Sequence, residues 1–474
     1  MDDSQLNSIV RDVVSDVIND KNISTGNNKS GYSAGDNGVF KKMEDAIQAA
    51  REAFQEFRSF GLQDREEIVD AVRQATLDNK KRWSEMAVEQ TGMGRVDHKI
   101  QKHINAAENS PGGKYLKPEA QSGKNGLALN EYSPFGVIGN ITPSTHPAPN
   151  MVNNIIIQVV GGNTIAFNPH PTTGKLNADV IRKCNQYMTQ AGAPENLVTC
   201  VEEPTLDSAK YLFEHPEVDL LSISGGPQIV QIAMDSDKPV IAAGPGNPPV
   251  LVDETADLEL AAKEITESAA YDNNILCTAE KVVLVVDDVF NEFMKKFSDQ
   301  GNEKLVGQQM KILGEKALDK NGDEYVTRRD YVGKSAPYLA DKIGKKIADD
   351  VPLLFGETSA DDPWAIAEQM TCCMPIVRVR NFEKGLEKAE KVEHGFEHTT
   401  AVYTQDMDRA TKYIREMDCD IGVVNGGTVR GDGGDPGESY FSHTIATPTG
   451  EGITTPKDFC RSRRIMIHDA MNFA

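Results

Sequence analysis

From residue 134 to about residue 242 the sequence alternates between strand and helix patterns, and this constrains the fold more than any other feature. Short apolar runs at 136–141, 164–167, 197–199, 219–222 and 240–242 read as strands. Between them, 148–160, 175–189 and 206–213 read as helices, and Gly225-Gly226-Pro227 opens one more. Strands this short, separated by helices, cannot pair as hairpins. They require a parallel sheet covered on both faces, an α/β architecture that commonly holds a dinucleotide. The glycine fingerprint GxGxxG is absent, so either no dinucleotide binds or it binds in another way. A second alternating block runs from Leu258 to about Val424, with strands expected at 282–286, 376–380 and 399–403.

The flanking regions read differently. Residues 39–107 read as helices, with Val39, Phe40, Met43, Ile47, Ala50, Phe54 and Phe57 on one stripe. Residues 114–133 look extended and rich in turns. The C-terminal stretch 438–474 is rich in Gly, Thr and Pro, then basic at Arg461, Arg463 and Arg464, and reads as an arm. At the other end, Leu6, Ile9, Val10, Val13, Val14, Val17 and Ile18 recur at spacings of three and four, which predicts an amphipathic helix over 1–18. Residues 19–38, rich in Asn, Gly and Ser, read as a flexible linker. A tethered helix of this kind must bury its stripe on the body or on another protein. Its polar face is acidic, which argues against a membrane surface.

Charge and cysteine usage remove several function classes. With 72 Asp+Glu against 50 Lys+Arg and a net charge of −22, nucleic acid is not an expected partner. No apolar run has the length of a membrane span. The seven cysteines are scattered, with no CxxC pair and no His/Cys cluster, so neither a disulfide framework nor a metal site is expected, and the compartment reads as reducing and intracellular. One cysteine stands out. In Tyr271-Asp272-Asn273-Asn274-Ile275-Leu276-Cys277 it follows small and amide residues just before the run 282–286. It is a candidate nucleophile, since thiolate is the strongest carbon-attacking side chain near neutral pH; taken alone, a cysteine is more often a small buried hydrophobe.

Several motifs stand in order: Thr142-Pro143-Ser144-Thr145-His146-Pro147, Asn168-Pro169-His170-Pro171, Ser224-Gly225-Gly226, Ala243-Gly244-Pro245-Gly246-Asn247, Asn273-Asn274-Ile275-Leu276-Cys277 and Thr447-Pro448-Thr449-Gly450-Glu451-Gly452. Together they resemble the aldehyde dehydrogenase superfamily over nearly the whole chain. More narrowly, they are similar to the CoA-acylating propionaldehyde and acetaldehyde dehydrogenases of bacterial microcompartments. The resemblance implies a Rossmann-like NAD-binding domain (39–110 and 134–241), a catalytic domain (242–437) and an oligomerisation hairpin (111–133 and 438–474). It also implies a homodimer or homotetramer, and docking of residues 1–18 on a microcompartment shell protein.

The same resemblance assigns roles. Cys277 matches the family nucleophile, which takes the aldehyde carbon, loses hydride to NAD⁺ and is left as a thioester. Thr145 stands where hydrolytic relatives place an oxyanion-binding asparagine; otherwise it is a turn threonine. Thr142, Pro143, Asn168, Pro169, His170, Gly225, Gly244 and Glu368 fall at NAD-binding positions, with Gly225 against the pyrophosphate and Glu368 on the nicotinamide ribose. Hydrolytic relatives carry a water-activating glutamate where Ala242 stands. Alanine cannot take a proton, so water loses its general base and a thiol acceptor, CoA, is favoured. Asn168-Pro169-His170-Pro171 replaces a Lys-Pro-x-Glu element, which lessens repulsion toward the 3′-phosphate of CoA. The implied reaction joins a short aldehyde (propionaldehyde, acetaldehyde or lactaldehyde), CoA and NAD⁺ to give acyl-CoA and NADH. A hydrolytic dehydrogenase and an inactive microcompartment cargo or scaffold are the rivals. His146, where related enzymes usually carry asparagine, lines the aldehyde channel or caps a turn. The segment 425–433 also departs from the family pattern and is expected to shape the substrate pocket.

Overall fold

Two parallel sheets carry the molecule. The computed structural model describes residues 35–322, 324–434 and 439–473. The amphipathic segment 1–18 and residues 19–34 of the linker lie outside these.

The first sheet has six strands in the order Val39–Phe40, Val198–Val201, Thr164–Phe167, Val137–Ile141, Leu220–Ser224, Val240–Ala243, all parallel. Their side chains are buried on both faces, as unbroken Val/Ile/Leu runs require. Strand order reverses beside Val137–Ile141, where Thr164–Phe167 lies on one side and Leu220–Ser224 on the other. A crevice opens at such a reversal, outside the carboxyl ends of the strands. The helices Pro147–Val160 and Gly174–Gln190 cover this sheet, joined by Met43–Phe57 and the 30-residue Leu62–Thr91.

One sequence expectation fails here. Val39 and Phe40 are not helical; they pair with Cys200 and Val201 as an edge strand. Gly38, at φ +92°, makes this possible, since a Cβ there would sit 2.5 Å from the Val198 carbonyl oxygen. The helical stripe begins at Met43.

The second sheet has seven strands, again all parallel, in the order Glu303–Lys304, Leu354–Thr358, Cys373–Val379, Val282–Val286, Pro249–Val252, Thr399–Tyr403, Ile421–Val424. The three strands expected from sequence lie in its middle part. The other strands are not expected from the sequence, and the last strand of the first sheet runs to Ala243.

A smaller antiparallel sheet joins Glu119–Gly123, Gly126–Pro134 and Cys460–His468. The C-terminal arm is therefore shorter than the sequence suggests. Phe441, Ser442, Ala446 and Phe459 are buried in the body, and only the stretch from Cys460 pairs outward with the hairpin. Their apolar side chains decide this, despite the Gly/Thr/Pro-rich composition around them. Among the described residues no helix is long and apolar enough to cross a membrane, no His/Cys/Asp/Glu group is placed to hold a metal, and all seven cysteines are free.

Candidate active site

A cavity of about 1060 Å³ lies between the two sheets. Its walls come from opposite strand ends. From the first sheet, Thr142 and Pro143 follow Val137–Ile141, Asn168 to Pro171 follow Thr164–Phe167, and Gly225 follows Leu220–Ser224, all at carboxyl ends. From the second sheet, Cys277 precedes Val282–Val286, Glu368 and Met370 precede Cys373–Val379, and His394 and His398 precede Thr399–Tyr403, all at amino ends. All ten site residues expected from the sequence line this one cavity: Cys277, Thr145, Thr142, Pro143, Asn168, Pro169, His170, Gly225, Gly244 and Glu368.

The loop that carries Cys277 is held against strong local preference. Asp272, Asn273 and Asn274 are consecutively left-handed, at φ 48°, 56° and 66°. Asx residues tolerate this conformation better than others, but three in a row need outside support. Each has it. The Asp272 carboxylate is fully buried and accepts from Lys102 Nζ at 2.6 Å, Lys99 Nζ at 3.0 Å and the Arg95 backbone N–H at 2.8 Å. Burial pushes this carboxyl up, but the Lys102 and Lys99 charges more than reverse that and hold it below its ordinary value. Asn273 donates to the Gly333 carbonyl, and Asn274 donates to the carbonyls of Ala269 and Glu280. Lys281, also buried, donates to the carbonyls of Asn274, Leu276 and Ala279, which bracket the cysteine.

Lys99 also donates to the Thr145 carbonyl at 3.3 Å, so one buried charge cluster ties the Cys277 loop to the Thr145 loop. Gly246 lies against the same loop. A Cβ there would come 2.8 Å from the Cys277 carbonyl oxygen and 3.0 Å from the His398 ring.

Cys277 itself is half-buried. Burial pushes its thiol up to about 12, Glu368 and Asp432 add to the rise, and Lys281 opposes it. Glu368 is raised to about 7 by burial, with Lys281 again opposing, and its Oε1 accepts from the Gly246 N–H at 3.4 Å. Behind the loop, Asp432 accepts from the Thr278 hydroxyl at 3.2 Å and is raised to about 7 by burial. The resting thiol is therefore protonated. Ala242 lies in its strand, fully buried, its N–H donating to the Thr449 hydroxyl.

The other end of the cavity suits a nucleotide. Gly225 and Gly226 line the cavity just before the helix Pro227–Met234, whose first N–H groups have no partner within the helix. A Cβ on Gly226 would meet nothing within 4 Å. The Thr142 hydroxyl is buried with no partner among the described residues. Beside Asn168–Pro171, Arg329 reaches over from the other half and donates to the Thr172 hydroxyl at 2.8 Å, and no ion pair to Arg329 is found among the described residues. The volume lies at the top of the usual range of about 300–1,000 Å³ for small-molecule sites.

Sequence reading missed His394, His398, Lys281, Arg329 and the hairpin Leu318–Asn321/Glu324–Thr327, whose Tyr325 and Thr327 line the cavity. Asn321-Gly322 is a hairpin signal that points to that element.

A model of the aldehyde dehydrogenase family matches residues 34–436. The chain belongs to the aldehyde dehydrogenase family. It is 41% identical over 437 residues to acetaldehyde dehydrogenase (acetylating) EutE of Salmonella typhimurium, covering 91% of this chain and 93% of that one. Among solved structures it is similar to a propionaldehyde dehydrogenase from the Clostridium phytofermentans fucose utilisation bacterial microcompartment, with TM-score 0.89 and 38% identity over 92% of this chain and all of that one. It is equally similar to Rhodopseudomonas palustris propionaldehyde dehydrogenase with bound CoA and an acylated cysteine, at TM-score 0.90 and 37% identity over 92% of this chain and 100% of the other. In this family setting the missing glycine fingerprint has a structural counterpart: the helix after Val137–Ile141 starts only at Pro147, and the glycines stand before Pro227–Met234 instead.

Proposed function

We propose that the chain is an NAD⁺-dependent, CoA-acylating aldehyde dehydrogenase that converts a short aldehyde to its acyl-CoA. The observation that carries this is the shared cavity, in which Cys277 meets a wall, Asn168–Pro171, that has no acidic residue and has Arg329 beside it. Bound NAD⁺ supplies the hydride acceptor. Gly225 and the N–H groups of Pro227–Met234 take its pyrophosphate, Thr142, Pro143, Asn168, Pro169 and His170 its adenosine half, and Gly244 and Glu368 flank the nicotinamide half.

The Cys277 thiol gives its proton to solvent, and Sγ bonds to the aldehyde carbon as the C=O π pair moves to oxygen. The Cys277 N–H and the Thr145 hydroxyl donate to the oxygen as it gains negative charge. Loss of hydride from that carbon leaves a thioester on Cys277. With Ala242 in place of a general base, this thioester favours a thiol over water. Thiolate of CoA then takes the acyl group and Cys277 Sγ departs. The 3′-phosphate of CoA is suited by Arg329 and by the lack of an acid at 168–171, so NAD⁺ and CoA take turns in one adenosine site.

Initial rates test this. NADH formation from propionaldehyde or acetaldehyde should require CoA, with CoA and NAD⁺ mutually competitive. Full turnover without CoA would establish the hydrolytic reaction instead. Residues 1–18 are proposed to dock on a microcompartment shell protein, and Val10→Asp should abolish co-purification with shells while activity persists. The strands Gly126–Pro134 and Cys460–His468 are proposed to build the contact of a homodimer or homotetramer, which light scattering on a chain ending before Cys460 would test.

A further inference from the structure

His146 and His443 form a stacked pair in the cavity wall, with ring centroids 4.8 Å apart and 26° between the planes. Phe441 meets the His443 ring edge-on at 4.5 Å. Both histidines are more than nine-tenths buried. Burial pushes His146 down to about 3 and His443 well below its ordinary value, so both rings are neutral at working pH. Each neutral ring carries one N–H and one bare nitrogen. The family pattern does not call for histidine at 146, and an all-apolar wall would suffice for an alkyl aldehyde.

The hydrogen bonds decide what the pair presents. Thr145 Oγ1 and His146 Nδ1 are 3.0 Å apart. A hydroxyl has one proton. If Thr145 donates to the oxygen of the attacked aldehyde, it must accept from His146, which places that ring's proton on Nδ1. His146 Nε2 then carries no proton and can only accept. His443 Nε2 is buried with no partner among the described residues. The His443 backbone is fixed independently, its N–H donating to Asn153 Oδ1 and its carbonyl accepting from Asn150 Nδ2. A buried ring nitrogen held without a partner costs stability unless something in the cavity meets it.

We infer that His146 and His443 recognise a hydroxyl on the carbon next to the aldehyde, so that the preferred substrate is a short 2-hydroxyaldehyde rather than an alkyl aldehyde. This rests on the acylating reading above and on Thr145 as an oxyanion donor. A methyl group in place of the hydroxyl leaves the acceptor unmet, and a site built to bond a hydroxyl rejects such an analogue strongly.

Glycolaldehyde and propionaldehyde test this, because they have equal heavy-atom counts and exchange hydroxyl for methyl. Initial rates with NAD⁺ and CoA, corrected for aldehyde hydration, should give a higher kcat/KM for glycolaldehyde. The ratio of the two should fall tenfold or more in His443→Phe and in His146→Phe, each of which keeps an aromatic stack. The readout is a ratio on active molecules, so partial loss of folded enzyme leaves it unaffected. A wild-type preference for propionaldehyde, or a ratio unchanged in both variants, overturns this inference alone. No CoA-dependent turnover of either aldehyde overturns the acylating reading and this inference with it.

Discussion

The two halves of the cavity are built on opposite principles. The first sheet offers carboxyl ends, and its contribution is mostly backbone: Gly225, Gly226, Pro143, Pro169 and a helix start. The second sheet offers amino ends, and its contribution is loops pinned from behind by buried charge, with Asp272 on Lys99 and Lys102, and Lys281 on three carbonyls. A nucleotide is held by shape and peptide N–H groups that need little adjustment. A nucleophile must stay in one place through several bond changes, and a loop with three left-handed residues stays there only under strong restraint.

The contrast makes graded predictions. Cys277→Ala should remove NADH formation by roughly 10⁴-fold or more while NADH still binds, as followed by its fluorescence. If the variant no longer binds NADH, the halves are not separable. Asp272→Asn strips the counter-ion from two buried ammonium groups and should cost about 3–5 kcal/mol in urea unfolding. A loss below 1 kcal/mol would mean that the charge cluster does not restrain the loop.

Asp432 gives a pH test in the same half. Its folded value, about 7, lies above that of an unfolded carboxyl. Its contribution to stability is therefore fully present below the unfolded value and is lost as pH rises through 7. Asp432→Asn should gain about 2–3 kcal/mol on the wild type between pH 5 and pH 8, measured by thermal or urea unfolding at the two pH values. A constant difference would remove Asp432 from the account. On the nucleotide side, Gly225→Ala puts a Cβ 2.6 Å from Ile229 Cγ2 and should raise KM for NAD⁺ about tenfold, worth ~1.4 kcal/mol, with kcat little altered. A large fall in kcat instead would show that the nucleotide wall also sets the chemistry.

The same contrast explains what could be read in advance. Strand 164–167 and helix 148–160 were legible almost to the residue, because continuous apolar runs bounded by Gly, Pro and Asn have one reading. The first sheet's wall of the cavity was legible because backbone-built walls leave Gly and Pro in fixed order. The restraints on the nucleophile were not. Lys99 and Lys102 sit on a helix where lysine ordinarily marks the solvent face, and nothing local says that Asp272, some 170 residues on, will bury them. His394 and His398 lie before a strand, whereas ligand sites in open α/β sheets are sought after strands. Val39 and Phe40 fit a helical stripe by spacing, and only the pairing with a strand 160 residues away makes them extended.

The His443 backbone is secured by amides on a neighbouring helix, Asn150 and Asn153, and not by its own ring. The side chain at 443 can therefore be exchanged without dragging the chain path with it. On the proposed reading, a point change there alters which aldehyde the cavity prefers and leaves the loop that carries Cys277 as it is.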